Sequence, residues 1–234
     1  MNSGLQPIFR VVIRRVLVLL FLCSCSEVSW SQLNIKVGYG GGYVQSTEIN
    51  DIIARFNTDK PFLEKKLDDV NFIGGLELGL RYRFGISAFE IAWSNGSAES
   101  EAFGFEDGNS FSETLNTSLR TYSIGVDNFV GNFGFGASIG NRQLKIKTDI
   151  TGFDGDRTIM SETGLASRFH VFYQIKSNSV SITLKPYVEF PWDSYNVSAL
   201  NREYFPDSTI PDADFDTDLT LFGLSIIFYN GPQR

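Results

Sequence analysis

His170 is the single histidine of this 234-residue chain. A histidine working with a hydroxyl and a carboxylate is the equipment of acyl transfer and hydrolysis. Arg168 stands two residues away, and Lys185 and Glu189 lie on the next extended run. Against that chemistry stands an imidazole that fills a polar interior and hydrogen-bonds its neighbours. The structural role is the reading taken, because no nucleophile motif, metal cluster or phosphate loop accompanies the histidine. Asp212, Asp214, Asp216 and Asp218 form a second candidate, since an extended segment would put four carboxylates on one face. A calcium loop of the EF-hand type needs glycine at its sixth position and glutamate at its twelfth. Counted from Asp212 these are Thr217 and Gly223. The segment reads as a solvated acidic loop, and neither metal nor cofactor is expected.

The remaining chemistry-bearing residues lie on runs with a period of two, which is the signature of strands. Eight such runs follow Gln32: "LNIKVGYGGGYV", "NFIGGLELGLRYRF", "SAFEIAWS", "TYSIGVDN", "FGFGASIGNR", "LASRFHVFYQI", "VSITLKPYVEF" and, within the closing "DLTLFGLSIIFYNGPQR", the alternation of Phe222, Leu224, Ile226 and Phe228 against Leu221, Gly223, Ser225 and Ile227. One face is almost purely Leu, Ile, Val, Phe and Tyr. The other carries Lys36, Glu77, Arg81, Arg83, Glu90, Asp127, Arg142, Arg168, Lys185 and Glu189 among glycines and serines. A soluble barrel would keep its aliphatic residues inside and its charges outside. Here the charges cannot face lipid, where a midplane Arg or Lys costs roughly 2–4 kcal/mol. They must point into a closed ring, where six basic and four acidic groups pair and fill the interior. An eight-stranded ring is only wide enough for side chains, so a filled polar core is expected rather than a channel. Pro186 removes a ladder hydrogen bond from the seventh run, where a bulge or an early end to pairing is expected.

Connections after runs two, four and six are tight ("GI", "FVGN", "KSNS"), and those after one, three, five and seven are long. That alternation, with an even number of antiparallel strands, is the pattern of transmembrane barrels with short periplasmic turns and long outer loops. The expected fold class is therefore all-β, an eight-stranded antiparallel up-and-down transmembrane barrel. Residues 1–31 read as a secretory leader, with Arg10, Arg14 and Arg15 before "VLVLLFLC" and a small-residue site "SWS" before Gln32. Residues 32–230 are the expected barrel domain and 231–234 a short tail. Both cysteines, Cys23 and Cys25, fall in the leader, and lipidation at Cys25 is the alternative to cleavage after Ser31.

The chain carries a formal net charge of −7, and the leader holds three basic residues against Glu27, so the remainder stands at −9. An acidic chain of this kind is unsuited to nucleic acid, whose phosphates demand a basic surface. The long loops take most of the acid, with Glu99, Glu101, Glu106, Asp107 and Glu113 in "GSAESEAFGFEDGNSFSE". In the first loop, Ile49, Ile52, Ile53 and Phe56 follow helical spacing, with Asn50 or Asp51 serving the first turn. That helix either packs on its own barrel or docks a partner. Loop aromatics Phe103, Phe105, Phe111, Tyr195, Tyr204 and Phe205 suit recognition or loop-on-loop packing.

From Gln32 to Phe228 the architecture resembles the small eight-stranded outer-membrane barrels of the OmpA/OmpX type, and more specifically the outer membrane protein beta-barrel domain family common in Bacteroidota. Gln32 directly after the expected cut resembles mature starts of that phylum. Gly223, Ile226 and Phe228 match the Gly-x-x-hydrophobic-x-aromatic pattern by which such families present their last strand for assembly. Leu221 stands where that pattern usually has a polar residue, and "YNGPQR" runs on past the aromatic. The resemblance implies an exported protein of the cell outer membrane, with outer-membrane lipid and the assembly machinery as partners, alongside any protein partner of the outer loops. The expected function is non-catalytic. A lipid A-modifying enzyme and a narrow pore are the alternatives.

Overall fold

Alternating side chains dictate extended backbone, and the extended backbone closes on itself. In the computed structural model, residues 33–150, 155 and 157–231 are described. The leader with Cys23 and Cys25, Gln32, and residues 232–234 lie outside them. In chain order the elements are β1 (Leu33–Val44), α1 (Thr47–Asp59), β2 (Leu63–Lys65), β3 (Phe72–Phe84), β4 (Ser87–Glu106), β5 (Asn109–Val130), β6 (Phe133–Ile150) and β7 (Arg157–Ile175). There follow β8 (Val180–Pro191), β9 (Tyr195–Asn196), α2 (Ser198–Tyr204), a 3-10 turn (Asp212–Phe215), β10 (Asp216–Thr217) and β11 (Leu221–Asn230). Eight strands pair antiparallel in the order β4-β3-β1-β11-β8-β7-β6-β5, and β4 pairs with β5 to complete the ring. This is an eight-stranded antiparallel up-and-down transmembrane barrel. Its sheet has no free edge within the ring, as backbone in lipid requires.

Both sides of the wall follow the alternation. Ile35, Leu76 and Phe222 stand outward at 52%, 53% and 54% exposure, while Arg81 and Arg142 are wholly buried within the ring. Tyr82 and Phe84 lie beside the β3–β4 turn, and Phe133 packs against Tyr173 with tilted rings 4.9 Å apart, placing aromatics at the short-turn rim.

Strands β4 to β7 run well beyond the lengths their alternation suggests. The segment expected as the second long loop is instead the far half of a β4–β5 hairpin, paired down to Glu106 and Asn109. Its tip is Asp107-Gly108, both at positive φ (51° and 82°), which is the backbone of a two-residue turn matched to strand twist. The physical reason is an inversion of sidedness. Along β5 the inward positions change from Asp127, Gly125 and Ser123 to Leu119 and Leu115. The outward ones change from Val126, Ile124 and Tyr122 to Arg120, Ser118 and Asn116. Below that level the protein is inside-out for lipid; above it the same strands bury an ordinary apolar core.

That core is a cap over the long-loop end of the ring. Ile49, Ile52, Ile53 and Phe56 of α1 are at most 2% exposed and pack with Leu115, Leu144, Ile146 and Leu200. The apolar face of α1 is thus filled within its own molecule. The helix begins at Thr47, a turn ahead of Asn50 and Asp51. Asn50 instead ties down the following loop, accepting from the Val70 amide at 2.8 Å and donating to Asn71 at 3.1 Å. Helix α2 escaped the sequence reading because seven residues carry too little periodicity.

Pro186 produces no bulge. Pairing of β7 with β8 lapses between His170–Tyr187 and Tyr173–Leu184 and resumes in the same register, while Pro186 itself stays opposite Leu224 of β11. A proline without an amide proton removes a rung, yet the flanking rungs hold the register.

Candidate functional site

The interior of the ring is built from charges that the period of two directs inward. Among the described residues, four cations and four carboxylates form one chain of alternating sign. Arg142 Nη1 lies 3.2 Å from Glu189, and Glu189 accepts from Arg168 Nε at 2.7 Å. Arg168 Nη1 reaches Glu77 at 3.1 Å, and Glu77 meets Lys36 at 3.0 Å. Lys36 bonds Glu90 at 2.7 Å, Glu90 lies 3.6 Å from Lys185, and Lys185 lies 3.4 Å from Asp127. The chain ends at His170, whose Nε2 sits 2.6 Å from Asp127 Oδ1. Hydroxyls of Ser225 and Tyr229 donate to Glu77 and Glu90, each at 2.7 Å. The structure thus brings together Lys36, Glu77, Glu90, Arg142, Arg168, His170, Lys185 and Glu189. Arg81 lies beside them with its guanidinium 3.4 Å from the Tyr229 ring centroid.

Charges this deep are tolerable only when matched, because desolvation costs several kcal/mol per ion. The network meets that condition by sharing: Glu77, Glu90, Glu189 and Asp127 each lie within 4 Å of two basic groups. Glycines give the long side chains room. A Cβ at Gly223 would meet the Tyr187 ring at 2.4 Å, and Tyr187 carries Arg168 over its face at 4.2 Å. The void left beside Glu77, Arg168 and Glu189 is about 40 Å³, space for water and little else.

Buried side chains lie at both ends of the interior. At the short-turn end Phe129 and Phe172 meet edge-on at 5.0 Å, with Arg83 over Phe129 at 4.2 Å. At the other end Arg142 Nε donates to Tyr195 Oη at 3.1 Å, joining the network to the cap. Sequence reasoning placed Tyr195 in a loop and missed this link; a tyrosine flanked by irregular chain carries no signal of what it will reach.

The aspartates do not form one face. Asp212 and Asp214 belong to the 3-10 turn and Asp216 to β10, since burial of Phe215 winds the segment inward. Asp212 pairs with Arg202 at 2.5 Å, and Asn196 Nδ2 donates to Asp216 Oδ1 at 2.7 Å. Gly223 faces the interior of β11 while Ile226 and Phe228 face outward.

The cap holds one further titratable group. Glu113 is 1% exposed and accepts from Tyr204 Oη at 3.2 Å; burial pushes its pKa up to about 7, and the Tyr204 phenol is raised by the same burial and by Glu113. A raised folded-state pKa means that Glu113 stabilises the cap fully below its ordinary value near 4.5 and loses that contribution as pH climbs through about 7. Proteolysis of the cap is therefore expected to accelerate as pH rises from about 4.5 through about 7, and Glu113→Gln to flatten the profile. An unchanged slope in the variant assigns the effect elsewhere.

No protein-family model and no curated protein sequence matches the chain. Solved structures of similar fold include Ail, the attachment invasion locus protein of Yersinia pestis, in complex with the heparin analogue sucrose octasulfate, at 14% identity over 85% of this chain and 96% of that one, with a TM-score of 0.42. Neisserial surface protein A has 9% identity over 86% and 97%, with a TM-score of 0.37. The outer membrane protease OmpT from Escherichia coli has 7% identity over 85% and 95%, with a TM-score of 0.35. These likenesses concern architecture, and none of those proteins' activities passes to this chain.

Proposed function

We propose that this chain is an integral outer-membrane barrel, sealed and non-catalytic, that stabilises the envelope or presents its acidic outer end to a partner. The observation that carries the reading is the continuous ion-paired interior, closed below by Phe129 and Phe172 and above by the α1–α2 cap. Glu99, Glu101, Glu106 and Asp107 ride on the β4–β5 hairpin beyond the apolar belt, which makes that hairpin an acidic outer surface. A sealed interior predicts silence in planar bilayers, and a steady open current from the folded wild type would overturn it.

Catalysis by His170 finds no support in its surroundings. Its partner Asp127 is itself tied to Lys185, and Nδ1 is buried with no hydrogen-bond partner among the described residues. His170→Ala is expected to leave the lipid A profile of the producing cell unchanged. A shifted acylation pattern would restore the enzyme reading.

A further inference from the structure

Above the apolar belt most of the protein is acidic, yet the outward face of β5 and β6 is not. Arg120 is opposite Gln143 and Ser118 is opposite Lys145 in the β5–β6 register, so Arg120 and Lys145 are diagonal cross-strand neighbours, about 7–8 Å apart at the backbone. Two residues further along β6 comes Lys147. The positions around the first two cations are amides and hydroxyls: Asn95 beside Arg120, Thr163 beside Gln143, and Ser161 beside Lys145. Outward acids on β4 and β6, Glu99, Glu101 and Asp149, sit at or above the level of Lys147, farther from the belt.

Directly below this patch the wall is dented. Asn141, short and polar, stands between Tyr122 and Leu165 in the register, and a groove of about 270 Å³ opens beneath it between Ile91, Ile124 and Ile139. The groove lies at the level of the apolar belt and the patch just above it. An anionic head over a hydrocarbon chain matches both halves at once.

We infer that this face of β4 to β7 is a binding site for a phosphorylated glycolipid of the leaflet on the long-loop side. Arg120 and Lys145 hold the phosphate, the amides and hydroxyls around them bond sugar hydroxyls, and one acyl chain lies in the groove below Asn141. Arginine suits the phosphate because its planar fork gives two parallel hydrogen bonds. The inference rests on the membrane-spanning reading given above, and charge complementarity selects the occupant. A peptide would meet cations above and bare hydrocarbon surface below.

The test is lipid retention by the full mature chain in nanodiscs of phosphatidylethanolamine containing diphosphoryl lipid A, counted by native mass spectrometry. Wild type is expected to keep lipid A, and the R120Q/K145Q variant to retain at least tenfold less at an unchanged unfolding midpoint. Removing two cations elsewhere, K65Q/R202Q, is expected to change nothing. Equal retention by R120Q/K145Q overturns the site. Phosphatidylglycerol displacing lipid A as well as lipid A itself overturns the glycolipid class, and glucosamine 1-phosphate competing at the same concentration overturns the acyl groove. A wild type that fails to enter the nanodisc sinks the membrane reading instead, so the two failures are told apart.

Discussion

Glu189→Gln is expected to lower the unfolding free energy of the barrel by about 3–5 kcal/mol, the range for breaking a buried ion pair by removing one partner. Glu189 is shared by Arg142 and Arg168 at 3.2 and 2.7 Å, so the neutral amide takes the paired carboxylate from Arg142 and leaves Arg168 with Glu77 alone. Urea unfolding in detergent micelles reads the effect. Arg202→Ala supplies the contrast, since it breaks a pair with Asp212 in which both side chains are more than half exposed. Such surface pairs contribute about 0–1 kcal/mol. Comparable losses in the two variants would mean that the interior is wet enough to solvate its charges, and the sealed reading would fall.

Ile53→Asp is expected to release the cap and leave the ring standing. Ile53 is wholly buried among apolar side chains from α1, the extended strands and α2. Burying its side chain contributes about 1.5–3 kcal/mol, and a carboxylate in its place also carries the desolvation of an unpaired charge. Trypsin cleavage at Arg55, Lys60 or Lys65 should rise at least tenfold, while the ring keeps its strand circular dichroism in detergent. Loss of both together would show that cap and ring fold as one unit. Neither region would then be separable by mutation.

The ring was legible because lipid imposes a stricter alternation than water does. β1 spans the residues its pattern marks out, Leu33 to Val44, and runs three to seven lie inside the observed strands. The far halves of β4 to β7 were not legible for a specific reason. A strand whose outward residues turn from Tyr122 and Ile124 to Arg120 and Ser118 loses the phase by which it was recognised, although its backbone continues unbroken. Inward charges could be assigned to the interior from their faces alone, since facing follows from period. Their pairing order, with Glu189 between two arginines and Glu90 between two lysines, depends on strand neighbours and stagger, which no single strand encodes. Tyr195 and Glu113 illustrate the remainder: each acquires its partner through chain folded over the mouth of the ring.

The switch of faces near residue 120 also acts as a depth gauge. From Val126 to Tyr122 the outward side of β5 is hydrocarbon-compatible, and at Arg120 it ceases to be, a change completed within one outward position, or roughly 7 Å of strand. Sinking the molecule by that distance would drive Arg120 into the acyl region, and raising it would bare Tyr122 and Ile124 to water on the long-loop side. The protein therefore selects a hydrophobic thickness, and a bilayer of different thickness must deform locally to meet it.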